Sequence, residues 1–362
     1  MFNGGEAETC HFEHVAASAE QVVSQHVPPI DLTAQDGVRY DAVAIGNALV
    51  DVIASVDEEF LVRESVVKAS MTLVDAQRSK HLYSRINNPI QTSGGSAANT
   101  AYGIASLGGR AGFIGKIAAD DLGDIFADDM KQVGVGFHPG AHSTTEPTGR
   151  CVIAVTPDGQ RSMSTFLGAS SLLEPADISK DAVTAGAVLF LEGYLFDRDA
   201  AKEAFRTASR YAHAALRKVS LTLSDSFCVD RHRDDFLRLI KDDVDILFCN
   251  ETELQSLYQI DDFDIALSRL REDCEFGAIT REKRGSVVIS GDELVRIAAE
   301  PVDHVVDATG AGDLYAAGFL YGFTRGESIE YCGRVASIAA SEVITHVGPR
   351  PLVSLTSLLP IR

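Results

Sequence analysis

From Tyr40 onward the apolar positions follow two rhythms in alternation. Short apolar runs read as buried parallel strands: Ala42-Val43-Ala44-Ile45-Gly46, Ala111 to Ile114, Val188 to Leu191, Leu221-Thr222-Leu223 and Ile246-Leu247-Phe248. Between them lie segments with helical spacing. Ser96 to Leu107 is rich in small residues and predicts a helix packed close to a sheet. Leu122, Ile125, Phe126 and Met130 fall on one helical face after Asp120-Asp121, and Gly134 stops that helix. Arg198 to Lys218, Asp234 to Lys241, Glu253 to Tyr258, Phe263 to Cys274 and Leu314 to Phe323 also read as helices. Repeated strand–helix alternation implies right-handed βαβ units. The predicted fold class is α/β, a three-layer αβα sandwich with a mostly parallel central sheet.

Three segments break the alternation. Val52 to Val56, Met71 to Val74, and Cys151 to Thr165 read as exposed β-strands, the last with a turn at Pro157-Asp158-Gly159. They predict a small β-sheet lid, built from about residues 52–74 and 148–168, over the mouth of a site. Residues 1–38 contain neither Lys nor Arg and show weak periodicity, so they read as an N-terminal extension, poorly ordered or draped over the surface. Its acidic residues and missing Arg argue against a transit peptide. Residues 39–362 form the predicted catalytic domain.

Composition narrows the function. Lys and Arg total 32 and Asp and Glu 52 among 362 residues, a formal net charge of −20. Such a field repels phosphate backbones and anionic membranes, so neither nucleic acid nor membrane is an expected partner; a small metabolite is. No apolar stretch reaches the ~18 residues that a spanning helix needs. The six Cys (10, 151, 228, 249, 274, 332) include no Cys-x-x-Cys pair. They read as buried thiols in a reducing compartment, and the expected location is the cytoplasm.

The strongest chemical signal is Asp307-Ala308-Thr309-Gly310-Ala311-Gly312-Asp313, just before a predicted helix. Small residues at a helix start leave backbone N–H groups open, and the helix dipole adds positive charge. Gly310, Ala311 and Gly312 thus make a candidate anion hole, and Asp313 a candidate general base beside it. Read alone, Gly-Ala-Gly-Asp is also a plain helix cap. No Walker A string competes, because Gly115-Lys116 is followed by Ile117.

The string resembles the C-terminal signature of the ribokinase-like (phosphofructokinase B) carbohydrate and nucleoside kinases, with Ala308 where a Thr is usual. Gly94-Gly95-Ser96-Ala97-Ala98-Asn99 is similar to the N-terminal signature, and Gly46-Asn47-Ala48-Leu49-Val50-Asp51 to the region that holds substrate hydroxyls. The resemblance implies a substrate site of Asn47, Asp51, Gly94, Gly95, Ser96 and Asn99. Asn250-Glu251-Thr252-Glu253 matches an Asn-x-x-Glu motif, which implies that Asn250 and Glu253 organise Mg²⁺ through water. It is also a helix cap with its box partner. Thr280, Arg281 and Gly285 fall in a nucleotide-binding turn in which Glu282 stands where Gly is usual. A solvated charged hairpin is the other reading of that turn. A monovalent cation such as K⁺ would neighbour Asp307, Thr309 and Gly348.

Within the family, the adenosine kinase branch is similar in its opening (46–61), in Thr148-Gly149 to Met163, and in Ala340 to Ile344 with Gly348-Pro349-Arg350-Pro351. This implies ATP-dependent phosphorylation of a ribonucleoside 5′-hydroxyl, adenosine first, by a monomer or homodimer. Ribokinase, fructokinase and inosine-guanosine kinase chemistry are the alternatives. Tyr194, Phe196 and Phe166 are candidate stacking residues for a base, or core residues. Gly94-Gly95-Ser96-Ala97-Ala98 also approaches a hydrolase nucleophile elbow, but Ala98 replaces its last Gly.

Overall fold

The structure, a computed structural model, describes residues 31–140 and 145–359. Its large sheet has nine strands in the order Glu293–Ile297, Ser286–Ser290, Phe276–Thr280, Ile246–Asn250, Lys218–Thr222, Gly186–Glu192, Tyr40–Ile45, Ala111–Gly115 and Gly136–Pro139. All neighbours pair in parallel except the first two strands, which form an antiparallel edge. Alternation along each central strand divides the core in two. Val43 and Ile45 face a cluster with Phe205, Phe236 and Leu267, while Ala42 and Ala44 face one with Ala97, Ala101 and Phe319. The result is the expected three layers.

Small side chains decide how near the second layer comes. Helices Ser96–Ser106 and Ala311–Thr324 cross where a Cβ on Gly103 would lie 2.6 Å from the Ala317 methyl. Gly318 meets Ala336 of helix Ile329–Val343 as closely, at 2.6 Å. Packing of this kind tolerates no added methyl group. It holds the two motif-bearing helices in one fixed relation.

The second sheet has five strands in the order Met71–Leu73, Arg161–Phe166, Gly149–Val155, Leu49–Ser55 and Ile90–Gly94. Phe60, Leu61 and Leu82, from helices Glu58–Arg63 and Ala76–Arg85, cover it with a core of their own. The three predicted lid segments supply four of its five strands, because the segment from Cys151 to Thr165 folds back as two. Strand Ile90–Gly94 and both helices are not predicted by the apolar pattern.

Other boundaries shift for local reasons. The helix expected over 198–218 ends at Ala214, because Leu216 takes φ +59° and Lys218 already begins a strand. The helix expected from Asp234 starts at Ser226, capped by Asp225 and interrupted at His232, whose backbone is not helical. Residues 1–30 lie outside the described residues. The rest of the predicted extension lies on the body: the Arg217 guanidinium donates to the Gln35 side chain and, at 2.7 Å, to the Asp36 carbonyl. The five described cysteines are buried and free; Cys10 lies outside the described residues.

Candidate active site

The two glycine turns meet over Asp313. Gly95 caps its helix at φ +100°, where a Cβ would lie 2.2 Å from the Asn47 carbonyl oxygen. The next turn of that helix aims two side chains at Asp313. Ser96 Oγ donates to Oδ1 at 2.6 Å, and Asn99 Nδ2 donates to Oδ2 at 3.0 Å. Asn99 Oδ1 is buried without a hydrogen-bond partner. An orphan acceptor of this kind beside two bonded groups marks a place for an incoming donor. No histidine bonds Ser96 among the described residues, so nothing there equips it as a hydrolase nucleophile.

Asp313 stands in the first turn of its helix, behind Gly310 at φ +82°. Among the described residues the amides of Gly310 and Gly312 have no acceptor, whereas Ala311 N–H turns back to the Ala308 carbonyl at 3.2 Å. Two of the three expected amides are therefore open, and the third is used by the chain. A Cβ on Gly312 would meet nothing within 4 Å, so the turn is uncrowded on that side. Gly310 instead abuts Pro349, 2.7 Å from where its Cβ would stand.

Asp307 closes the back of the turn. Its Oδ1 accepts from Thr309 N–H at 2.9 Å, and its Oδ2 from Gly348 N–H at 2.9 Å and Arg161 Nη1 at 2.6 Å. Burial favours its neutral form, yet these donors outweigh burial and hold the carboxyl below its usual range. Arg161 comes from the small sheet and is 7% exposed, while its Nε and Nη2 have no partner. Two unmet donors on a buried cation next to open amides form an anion-seeking corner. The apolar pattern does not single out Arg161; the Arg161-Ser162-Met163 similarity of the lid was the available signal.

Asp51 supplies the opposite wall. It is buried, and none of the described residues donates a hydrogen bond to its carboxylate. A Cβ on Gly94 would lie 2.5 Å from that carboxylate, so glycine there makes room for it. Burial pushes Asp51 up to about 6, with Arg350 and Arg161 pulling down and Asp313 pushing up. Burial likewise pushes Asp313 up to about 6, against the Ser96 and Asn99 bonds. Asn47 is less open than expected. Its Nδ2 donates to Glu192 Oε1 at 2.7 Å, and its Oδ1 accepts from Ser170 at 2.9 Å. Glu192 also accepts from Ala97 N–H at 2.8 Å, so it fastens the Asn47 loop to the helix that carries Ser96 and Asn99. Burial pushes Glu192 up to about 7. Sequence reasoning missed Glu192, because nothing within its own strand marks it.

A second cluster lies at the ends of the neighbouring parallel strands. Asn250 and Glu253 form a reciprocal cap: Glu253 N–H donates to Asn250 Oδ1 at 2.8 Å, and Asn250 Nδ2 to Glu253 Oε1 at 2.7 Å. Burial pushes Glu253 up to about 7. Glu282 sits at φ +51°, the conformation for which glycine is the usual residue, and Gly285 at φ +78°. Thr280 ends its strand beside them. The Arg281 guanidinium is committed elsewhere: it lies 3.7 Å over the Phe263 ring and pairs with Glu251 at 3.0 Å. No hydrogen bond joins this cluster to Asp313 among the described residues. Tyr194 is acted on by Asp225, Asp313, Glu253 and Glu192 together, after burial, and all of these raise its pKa. It keeps partial exposure, whereas Phe196 stacks on Phe236 at 4.1 Å in the core and Phe166 is buried.

The donor sets fit the implied ions unequally. A buried carboxylate and an exposed carboxamide at a strand end suit Mg²⁺ held through its own waters. The Asp307 carboxylate already accepts from a guanidinium and two amides, and the Glu253 carboxylate from the Asn250 N–H and Nδ2, so Asp307 is the more heavily engaged of the two.

Residues 63–355 match the pfkB family carbohydrate kinase domain. The chain is similar to the adenosine kinase of Saccharomyces cerevisiae, 26% identical over 329 residues that cover 85% of this chain and 95% of that one. Two crystal structures share more of its sequence. One is the adenosine kinase of Sinorhizobium meliloti, 49% identical with a TM-score of 0.81. The other is a probable sugar kinase of Rhizobium etli, 47% identical with a TM-score of 0.81. Each alignment covers 89% of this chain and 98% of the other. The match over most of the domain, together with a carboxylate set beside two open amides, makes this chain a member of the PfkB family of carbohydrate kinases, a phosphotransferase with a hydroxyl acceptor.

Proposed function

We propose that the protein transfers the γ-phosphoryl group of ATP to the 5′-hydroxyl of a ribonucleoside, adenosine first. The observation that carries this reading is the convergence of an unbonded buried carboxylate, Asp51, with the orphan Asn99 Oδ1 and with Asp313. Three acceptors in one cleft match the hydroxyls of a ribose. Similarity to the Sinorhizobium meliloti and yeast adenosine kinases supports a nucleoside over a free sugar.

Asp313 accepts the proton of the acceptor hydroxyl as that oxygen bonds to the γ-phosphorus and the bond to the bridging oxygen of ADP breaks. Ser96 and Asn99 hold the Asp313 carboxylate in place. The open amides of Gly310 and Gly312 and the free guanidinium nitrogens of Arg161 receive the charge of the moving group. Asp51 takes ribose hydroxyls, and Tyr194 offers its ring to the base. Asn250 and Glu253 would hold Mg²⁺ through water, and the ion would supply neutralisation of negative charge on the phosphates. The small sheet excludes competing water. The expected compartment is the cytoplasm; among the described residues no helix is long and apolar enough to cross a membrane.

The test is a phosphorylation panel of adenosine, inosine, ribose and fructose with ATP and Mg²⁺. Adenosine is expected to give the highest kcat/KM. A preference for ribose or fructose would replace the nucleoside reading with a sugar kinase.

A further inference from the structure

Arg350 lies in neither motif turn, yet the segment it ends is tied to both. Its Nη1 donates to Asp129 Oδ2 at 2.8 Å, and its Nη2 donates to Ser93 Oγ at 2.6 Å and to the Ser93 carbonyl. Asp129 completes the ring by accepting from Ser93 N–H at 2.8 Å. The guanidinium lies 4.6 Å over the ring of Tyr102, on the helix that carries Ser96 and Asn99. One side chain thus joins three elements: strand Ile90–Gly94, helix Asp121–Gln132 and helix Ser96–Ser106.

Ser93 immediately precedes Gly94 and Gly95 and pairs with Val50, next to Asp51. The two residues before Arg350 serve the other turn. Gly348 N–H donates to Asp307, and Pro349 is the surface against which Gly310 is pressed. Three consecutive residues, 348–350, therefore touch the phosphate turn with the first two and the acceptor turn with the third.

We propose that Arg350 is a positioning residue for phosphoryl transfer: its planar fork locks the Ser93-Gly94-Gly95 strand end to the segment backing Gly310, so that acceptor and phosphoryl group keep a common register. It touches no reacting atom. The guanidinium offers Nη1 to Asp129 and Nη2 to Ser93 from one rigid fork, a fixed relation that an ammonium on a flexible stem does not impose. Arg350 also offsets the burial of Asp51, which agrees with a role on the acceptor side. The proposal rests on the reading of Asp51 and the glycine turn as the acceptor site.

The experiment compares wild type, Arg350→Met, Arg350→Lys and Ser93→Ala, with each KM measured at saturating second substrate. The acceptor is whichever compound of the panel the wild type turns over, adenosine being expected. A wild type that prefers another acceptor contradicts the nucleoside reading alone. Arg350→Met is expected to raise the acceptor KM by roughly tenfold or more, with the ATP KM within about twofold. Arg350→Lys should recover less than about half of that loss. Ser93→Ala, which keeps the backbone acceptor, should raise the acceptor KM about threefold and serves if Arg350→Met does not fold. Equal rises in both KM values, unchanged kinetics, or full rescue by Arg350→Lys would overturn the proposal.

Discussion

Arg161 of the small sheet and Asp307 of the glycine turn are joined, with guanidinium Nη1 2.6 Å from carboxylate Oδ2, although they stand 146 positions apart in the chain. The pair is nearly buried, with side-chain exposures of 5% and 10%. Removing one partner therefore strands the other charge. Arg161→Met is expected to lower kcat by about 10²–10³, the usual size for a lost charge-stabilising donor. Steady-state assays check this; a change in the acceptor KM alone would assign Arg161 to binding instead.

The rate should depend on pH through two carboxyls. Asp51 and Asp313 are both pushed up to about 6 by burial. A general base works ionised, so kcat/KM is expected to rise with pH to about 6 and level off above it. The two groups act on each other, so the profile reports the pair. Asp51→Asn should make the acid limb shallower. A rate that is flat from pH 5 to 8 would contradict these assignments.

The same burial carries a stability cost. Unfolded, Asp51 ionises near 3.8; folded, near 6. Between those values the native state binds more protons than the unfolded state. Stability is therefore lost as pH rises through that window and stays lost above it. Asp51→Asn is expected to raise the unfolding free energy at pH 8, by at most ~3 kcal/mol, while weakening acceptor binding. Thermal melts at pH 4 and pH 8 check the sign: the gain should appear only at the higher pH.

Gly310 and Gly312 separate fold from chemistry. Gly310→Ala meets a left-handed backbone and the Pro349 atoms at 2.7 Å, and is expected to destabilise the fold by about 1–3 kcal/mol. Gly312→Ala adds a methyl that meets nothing within 4 Å at an ordinary φ, so the melting midpoint should stay put while kcat/KM for ATP falls. Denaturation curves beside ATP titrations distinguish the two outcomes.

How much of this was legible in the sequence depended on how local the physics is. The run from Asp307 to Asp313 carries its open amides and its acid within seven residues, and the central strands announce themselves as unbroken apolar runs. The Glu282 conformation was half visible, as a charged residue at a glycine position. Glu192 had no such signature, and Arg161 and Arg350 stood out only as members of the similar segments 148–163 and 348–351. Their partners lie 145, 146 and 257 residues away, and an acid or arginine in a strand or turn looks the same whether or not it is bonded. Helix Ile329–Val343 escaped the apolar pattern because Gly333 and several small residues blur its period. Those same small residues let it press on Gly318. Ala311 shows the reverse error: the motif offers three amides, and one is turned inward by the tightness of the turn.

The most direct test is the phosphorylation rate of Asp313→Asn with saturating adenosine and ATP–Mg²⁺, measured beside its melting curve. Loss of the proton acceptor is expected to lower kcat by roughly 10²–10⁴ with the fold intact. A variant that keeps the full wild-type rate would remove Asp313 from the chemistry.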